Sequence, residues 1–148
     1  IDLTQLVHDT LLIYSEQGLE VDLALPQEAV RVACNPVSIR RVLNNLSSNS
    51  QRYGASRLHA ELKDDGHWVR LRLSDDGPGI PEQDYSRVLK PFTQGNVART
   101  VGGSGLGLAI VAKIVAQHHG TIRLGSSDLG GLLVEMRLPK HQPQEWMD

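Results

Sequence analysis

The sequence predicts an α+β domain: a two-layer sandwich in which a mixed, mainly antiparallel sheet of about five strands is covered on one face by three helices. Two patterns predict this class. Apolar residues that alternate along short stretches are typical of strands, and apolar residues three or four positions apart are typical of helices. The elements follow the order helix, strand pair, helix, hairpin, loop, helix, hairpin. Helices gathered on one sheet face are the economical packing of that order.

The composition supports a single compact domain. The chain has 148 residues, 40% hydrophobic and 4% aromatic, and a domain of this length buries about 68–70% of its unfolded surface. The formal charge is −2 and the sequence has no long basic run, so nucleic acid is not expected as a partner. The single Cys34 excludes an internal disulfide. No apolar run approaches the ~20 residues of a membrane span.

The chain begins with a predicted helix and two predicted strands. Apolar residues at helical spacing predict a helix over residues 2–16, with Asp2 as its cap. Alternating apolar residues over 21–25 and again over 30–32 predict two short strands. Pro26 interrupts the alternation, so we expect the two strands to be joined by a turn there.

A second helix is predicted over about residues 36–53. Asn35 can cap it, and Pro36 suits its first turn because proline has no N–H to leave unpaired there. The apolar spacing assigns a buried stripe to this helix. Its expected members are Val37, Ile39 or Arg40, Val42, Leu43 and Leu46.

A hairpin and a short helix are expected next. Residues 58–62 and 69–73 alternate on either side of the Asp-Asp-Gly turn at 64–66, a strong hairpin signal. Residues 75–81 are rich in glycine and proline and predict a turn. A short helix that includes residues 88–89 is expected to follow.

The last third of the chain predicts a loop, a long helix and a closing hairpin. Residues 90–103 have few apolar anchors and predict a mobile loop. A helix is expected over about 105–118, with Gly120 as its C-cap. Alternation over 122–124 and 132–138 predicts the two closing strands.

The second helix carries a polar face with binding chemistry. Asn45, Asn49, Arg52 and Tyr53 are spaced i, i+4, i+7 and i+8, so they share one side of the helix. An amide oxygen can bind a hard cation such as Mg²⁺. Arg52 could meet a phosphate, and Tyr53 could stack on a base. A solvated helix face explains the same pattern equally well.

Two glycine-rich segments could also bind a ligand. Asp75 ends a strand, where its carboxylate can accept a hydrogen bond from a purine amine while nearby glycines let the backbone approach a flat ring. An ordinary Asp-Gly turn is the alternative. Residues 102–108 lead into a helix, and bare backbone N–H groups at a helix start favour phosphates. A glycine hinge is the alternative there.

Taken in order, these segments resemble the N, G1, F and G2 boxes of the ATP-binding catalytic domain of sensor histidine kinases. The F box corresponds to Pro91-Phe92. This domain belongs to the HATPase, or GHKL, superfamily, which also includes gyrase, mismatch-repair ATPases and a heat-shock chaperone. The resemblance covers residues 18–139. The segments 52–54, 75–80 and 98–100 look most like osmosensor kinases of the EnvZ type.

The resemblance implies a role for each matching residue. Asn49 would coordinate Mg²⁺ with support from Asn45, while Arg52 and Arg99 would neutralise phosphate charge. The base pocket would comprise Tyr53, Asp75, Gly77, Gly79 and Ile80. The lid anchor and the phosphate loop would comprise Phe92, Gly103, Ser104, Gly105, Leu106, Gly107 and Leu108. Gln94 stands where these kinases often carry Arg or Lys, which puts a second basic lid contact in doubt.

The implied function is transfer of the γ-phosphoryl group of ATP to a histidine on a dimerisation domain outside this chain. Hydrolysing members and serine-directed kinases of the superfamily usually carry Glu where this chain has Asn45, and a carboxamide cannot act as a general base. His8 is expected to be a surface residue, and His118 and His119 structural ones that favour a helix end when protonated. A nucleotide-gated interaction module or a serine-directed kinase of the anti-sigma type is the alternative.

The resemblance also implies a larger protein. Its partners would be the acceptor-histidine dimerisation domain and a response regulator. The full-length kinase would be a homodimer in the bacterial inner membrane, with this domain in the cytoplasm and monomeric by itself. We expect residues 1–17 to follow the dimerisation domain, residues 18–139 to form the catalytic domain and residues 140–148 to be a polar tail.

Overall fold

The computed structural model describes residues 1–90 and 107–141 and has the predicted α+β fold. Its strands are β1 (Glu20–Ala24), β2 (Arg57–Asp64), β3 (Trp68–Asp75), β4 (Thr121–Ser126) and β5 (Leu132–Pro139). Its helices are α1 (Leu3–Glu16), α2 (Pro36–Arg52), α3 (Tyr85–Val88) and α4 (Gly107–Gln117), with a 3-10 turn over Glu82–Asp84. Among the described residues, no helix is long and apolar enough to span a bilayer.

The strands form one mixed sheet in the order β1-β2-β3-β5-β4. β1 runs parallel to β2, and the other three neighbouring pairs are antiparallel. Ala60 lies opposite Leu73, which lies opposite Val134, so apolar residues form a row across the face that meets the helices. The predicted sheet, its mainly antiparallel pairing and its strand number are confirmed.

A single apolar core lies between the sheet and the three long helices. It is built almost wholly from aliphatic side chains, as the low aromatic content requires. α1 contributes Leu3, Val7 and Leu11 to the same cluster as α2 and α4. The Tyr14 hydroxyl also donates to Asn44 Oδ1 over 2.8 Å, which fixes α1 against α2.

The start of α2 follows the sequence prediction, but one residue of its predicted buried stripe is wrong. Asn35 Oδ1 accepts hydrogen bonds from the backbone N–H groups of Val37 (3.0 Å) and Ser38 (3.2 Å). Val37 itself is 68% exposed, whereas Ile39 is buried. Two residues along a helix are about 200° apart around its axis, so the two side chains point in opposite directions.

The predicted strand at residues 30–32 is absent. Arg31 forms only an isolated bridge with Asp2, while Val30 accepts a backbone hydrogen bond from Leu3 at 2.9 Å. Val30 and Val32 are buried all the same. Their alternation therefore reflects burial beside the start of α1 and not pairing in the sheet.

The end of α4 differs from the predicted glycine cap. His119, with φ 60°, takes the left-handed conformation, and the Gly120 N–H donates to Val115 O at 2.9 Å. This is a Schellman ending with histidine at the left-handed position. Gly120 is needed for a different reason: a Cβ there would lie 2.4 Å from Arg137 O in β5.

His118 links the end of α4 to the start of α2. Its ring is buried, with Nδ1 2.8 Å from Ile114 O and Nε2 3.1 Å from the Asn35 backbone nitrogen. Because Asn35 N–H is a donor, Nε2 accepts and the proton sits on Nδ1. The structural role predicted for His118 fits this geometry, but the ring acts as a neutral group and not as an imidazolium.

We expect Gly120→Ala to destabilise the domain by about 2–3 kcal/mol, since the added methyl group meets backbone that cannot move without disturbing β5. Urea unfolding measures the change. Gly125→Ala in β4 is the matched control, because a Cβ there would make an ordinary 3.6 Å contact with Leu133. Equal stability of the two variants would contradict the close approach at Gly120.

Candidate functional site

The centre of the site is the carboxylate of Asp75, at the end of β3. Asp75 is 8% exposed, and its Oδ2 accepts a hydrogen bond from the Ser50 hydroxyl of α2 at 2.7 Å. Its Oδ1 accepts from the backbone N–H groups of Gly77 and Leu132, both at 3.0 Å. Three donors from three parts of the chain therefore orient this buried carboxylate.

The hydrogen bonds of Asp75 leave one acceptor position open. Each carboxylate oxygen can accept about two hydrogen bonds. Oδ1 already has two, whereas from the described residues Oδ2 accepts only that of Ser50. An exocyclic amine of a base is a donor of the right kind for that position. The predicted adenine-binding role of Asp75 thus has an oriented acceptor to support it.

Glycines allow backbone to approach Asp75 closely. A Cβ at Gly131 would lie 2.2 Å from Asp75 Oδ1 and 2.6 Å from the Gly77 nitrogen. Gly79, with φ +72°, lies against the Gly131 backbone, and the adjacent Ile80 packs on the core. Gly77 and Gly79 were predicted from the sequence as pocket residues, whereas Gly131 was not.

Asn49 of α2 faces the start of α4, one helical turn after Asn45. A Cβ at Gly107 would lie 2.7 Å from Asn49 Nδ2, so a side chain there would displace the Asn49 amide. Asn45 Nδ2 is buried and finds no hydrogen-bond acceptor among the described residues. Leu108 is buried behind them. A buried donor without an acceptor is costly, and a phosphate oxygen or a water could satisfy this one.

A magnesium ion is compatible with these side chains. Mg²⁺ prefers oxygen ligands and keeps several waters, and the amide oxygen of Asn49 is such a ligand. In the part of the chain that the structure describes, no group of three His, Cys, Asp or Glu side chains could hold a metal by itself. An ion bound by Asn49 would therefore take its other ligands from phosphate and water.

Arg52 and Tyr53 lie at the end of α2, as their spacing predicts. Arg52 is exposed, and the described residues give it no ion pair, so its charge is available to a ligand. Tyr53 is partly buried. Burial raises the pKa of its phenol, and the Arg52 charge opposes this only in part. Tyr53 therefore keeps its hydroxyl proton at neutral pH and can donate a hydrogen bond.

Asp76 supports the site from outside it, a role that the sequence analysis missed. Its Oδ1 accepts from the backbone N–H groups of Ser56 (2.8 Å) and Arg57 (2.9 Å), and its Oδ2 accepts from the Ser56 hydroxyl (2.7 Å). These bonds fasten the connection between α2 and β2. Hydrogen bonds from Ser56 and then Arg57 hold the pKa of Asp76 below its usual value.

Residues 34–142 match the family described as histidine kinase-, DNA gyrase B-, and HSP90-like ATPase. The chain belongs to this ATPase family. The match covers the segment from the cap of α2 to the end of β5, and so includes Asp75, both asparagines and the start of α4. The resemblance predicted from the ordered sequence boxes is confirmed.

Curated relatives of this ATPase domain are sensor kinases. The sensor histidine kinase CpxA of Escherichia coli (strain K12) is 34% identical over 110 residues, 73% of this chain and 24% of that protein. The sensor protein kinase PmrB of Pseudomonas aeruginosa is 32% identical over 148 residues, 97% of this chain and 31% of that protein. The chain spans only about a quarter to a third of the length of these relatives.

Solved structures share the fold over nearly the whole chain. The ATP-binding domain of PrrB from Mycobacterium tuberculosis has a TM-score of 0.80 at 26% identity, covering 96% of each chain. The histidine kinase domain of the E. coli osmosensor EnvZ has a TM-score of 0.71 at 33% identity, covering 97% of this chain and 89% of that one. The EnvZ domain is thus one of several similar sensor kinase domains.

The structure describes ten of the sixteen predicted site residues and leaves the other six outside its described ranges. Asn45, Asn49, Asp75 and Gly107 lie where α2, α4 and the end of β3 meet. The predicted lid and phosphate-loop residues fall outside the described residues, as does the predicted loop at 90–103. They are Phe92, Arg99, Gly103, Ser104, Gly105 and Leu106.

We expect Ser50→Ala to lower the free energy of unfolding by about 1.5–3 kcal/mol, because it removes a hydrogen bond to a buried carboxylate. Ser47→Ala is the matched control. Ser47 is also buried in α2, but its hydroxyl has no hydrogen-bond partner among the described residues. Urea unfolding should find Ser47→Ala unchanged or more stable. A similar loss in both variants would show that Ser50 does not stabilise Asp75.

The lowered pKa of Asp76 predicts an acid-dependent contribution to stability. This contribution is present above the unfolded-state pKa of ~3.9 and is lost as the pH falls through the lower folded-state value. The stability difference between wild type and Asp76→Ala should therefore be constant from pH 7 to about 5 and shrink towards about 3. Urea unfolding across this range measures it, with Asp128→Ala, an exposed turn residue, as control. A difference independent of pH would contradict the prediction.

Proposed function

We propose that this domain binds ATP with Mg²⁺ and transfers the γ-phosphoryl group to a histidine of a dimerisation domain outside the chain. The observation that carries the proposal is the buried carboxylate of Asp75, oriented by three donors with one acceptor position left for a base amine. Membership of an ATPase family supports adenine as that base.

The proposed binding mode divides the nucleotide between two ends of the site. Asp75 accepts from the adenine amine, with Gly77, Gly79 and Ile80 shaping the pocket and Tyr53 beside the base or ribose. Asn45 donates its unpaired N–H towards phosphate oxygens, and Arg52 supplies positive charge from the end of α2. When bound at Asn49, Mg²⁺ would offset the negative charge of the phosphates.

The residues outside the described ranges complete the proposed site. Phe92 anchors the lid, and Arg99 neutralises phosphate charge. The backbone N–H groups of the glycine loop cradle the phosphates at the start of α4, where a helix N-terminus favours anions. The loop residues with this role are Gly103, Ser104, Gly105 and Leu106, followed by Gly107 and Leu108 in the first turn of α4.

The identity of Asn45 favours a histidine acceptor. A carboxamide cannot remove a proton from water or from a serine hydroxyl, so the acceptor must be nucleophilic without a strong base. A neutral imidazole nitrogen is such a nucleophile. Its lone pair forms the new bond to the γ-phosphorus, the bond from phosphorus to the β,γ-bridging oxygen breaks, ADP leaves and the ring proton passes to solvent.

The sensor kinase relatives support a wider proposal. We infer that the domain acts within a homodimeric kinase of the bacterial inner membrane, on its cytoplasmic side, with a response regulator as the later phosphoryl acceptor. In this assignment residues 1–17 follow the dimerisation domain, residues 18–139 are catalytic and residues 140–148 form a tail. The isolated chain is then a monomer.

The decisive experiment mixes the chain with γ-labelled Mg-ATP and a separately expressed acceptor-histidine domain. We expect acid-labile label on the acceptor domain and little release of phosphate by the chain alone. Asn49→Asp should reduce the transfer at least ~100-fold, because it replaces a neutral metal ligand beside the phosphates with a negative charge. Gln51→Glu makes the same amide-to-carboxylate change on the same helix, where the Gln51 side chain donates to Gln17, just after α1, and should retain transfer.

Other outcomes would redirect the proposal. Acid-stable label on a serine of an added protein would favour a serine-directed kinase of the anti-sigma type. Nucleotide binding without transfer to any acceptor would favour a nucleotide-gated interaction module. Equal loss of transfer in Asn49→Asp and Gln51→Glu would remove Asn49 from the proposed metal site.

A further inference from the structure

The sheet face that points away from the helices carries four arginines on its β3-β5-β4 half. In β3, Val69, Leu71 and Leu73 point into the core, so Arg70 and Arg72 between them point the other way. Across the sheet, Arg137 of β5 and Arg123 of β4 lie on the same side by register. We call Arg70, Arg72, Arg123 and Arg137 the arginine face.

The pairing within the arginine face does not favour sheet stability. Arg70 lies directly opposite Arg137 in β5 and directly opposite Lys63 in β2. Like charges directly opposite each other in antiparallel strands destabilise the pair. A row of three cations across three neighbouring strands therefore has a cost that an anion bound outside the sheet would relieve.

The carboxylates nearby do not balance these cations. Glu135 is buried beneath them, hydrogen-bonded by Arg123 and lying 3.7 Å from Arg72 Nε and 4.0 Å from Arg70 Nη1. Asp65 lies 4.0 Å from Arg70 Nε. With Glu61, directly opposite Arg72 in β2, three carboxylates stand against the four arginines and Lys63, which leaves an excess of two positive charges in a chain whose net charge is −2. This half of the face is thus positively charged, although the chain as a whole is negative.

The guanidinium groups also have more donors than acceptors. Each arginine offers five N–H groups, yet within residues 1–90 and 107–141 the four share a single hydrogen bond, from Arg123 to Glu135. The Nε atoms of Arg70 and Arg72 are buried without an acceptor. Next to them is a surface cavity of about 590 Å³, whose lining includes Arg70, Arg123 and Arg137 together with the carboxylates of Asp65 and Glu135. Unused donors therefore border a recess that a ligand could enter.

The rim of this face has the character of a protein interface. The Arg137 guanidinium lies 5.2 Å from the centre of the Trp68 ring, a cation–π contact that holds its planar group over the ring. Arginine and aromatic residues are enriched in protein interfaces, where lysine is depleted. A planar guanidinium also matches the two oxygens of a carboxylate.

The neighbouring half of the same sheet face limits the length of the ligand. Asp22 of β1 and Glu61 of β2 lie on this side, by register with His59 and Arg72. Arg57 and Lys63 of β2 lie on this side as well, so this half is mixed in charge and a long polyanion such as a nucleic acid would meet no continuous positive surface there. A short acidic segment could remain over β3, β5 and β4.

We propose that the arginine face binds a short acidic segment of a partner protein through its carboxylates. The site lies on the side of the sheet away from the helices and from Asp75, so it does not depend on the proposed kinase function. Bound carboxylates would accept hydrogen bonds from Arg123 and Arg137 at the edge of the recess. They would also relieve the repulsion between Arg70 and Arg137.

The test uses the whole chain and a fluorescent ten-residue peptide of alternating Glu and Gly, with a matched peptide in which Gln replaces Glu. Anisotropy should show saturable binding of the Glu peptide that weakens as salt rises from about 50 to about 300 mM. Arg123→Gln and Arg137→Gln should each weaken binding about fivefold. Arg40→Gln, an equal charge change at an exposed position on α2, is the matched control and should bind like wild type.

Each contrary result overturns the proposal. No saturable binding at millimolar protein, or equal binding of the Gln peptide, would exclude carboxylate recognition. Equal affinity in Arg40→Gln and Arg123→Gln would place the peptide elsewhere. A single-stranded oligonucleotide or pyrophosphate that binds more tightly, with the same dependence on Arg123, would make the surface a phosphate site. Circular dichroism confirms that each variant is folded, and Arg123, whose side chain is 73% exposed, is the safest substitution.

Discussion

The fold and the site both depend on how one buried negative charge is hydrogen-bonded. Asp75 ends the central strand β3, and a carboxylate in that position must have donors around it because an unpaired buried charge is strongly disfavoured. Ser50 supplies one donor from α2, and the Gly77 and Leu132 backbone supplies two more. The same bonds join helix, turn and strand, so the group proposed to recognise the base also assembles the pocket around it.

Three glycines act by keeping space empty for a neighbour, and none of the three is needed for a left-handed turn. Gly131 leaves room for Asp75, Gly107 for the Asn49 amide and Gly120 for the Arg137 carbonyl. Each allows two parts of the chain that are distant in sequence to approach so closely that a Cβ atom would not fit between them without a shift. The site is therefore shaped by backbone contacts as much as by its polar side chains.

Local signals were enough to predict most of the fold. The caps of α1 and α2, the Asp-Gly hairpin and the strand alternation depend on neighbouring residues, and the structure confirms them. The errors arose where contacts between residues distant in sequence determine the local structure. Residues 30–32 alternate because they are buried against α1. Glycine is required at position 120 because the backbone of β5 lies against it. Ser50 and Gly131 were missed because only the folded chain brings them to Asp75.

Two links, one at each end, join α2 to α4. At one end His118, just after α4, accepts the backbone N–H of Asn35, the cap of α2. At the other, Asn49 of α2 abuts Gly107, where α4 begins. The helices run in opposite directions between these two points, so neither can slide along the other without breaking both links. The two helices are therefore held as one antiparallel pair, so the start of α4 is positioned relative to the end of α2.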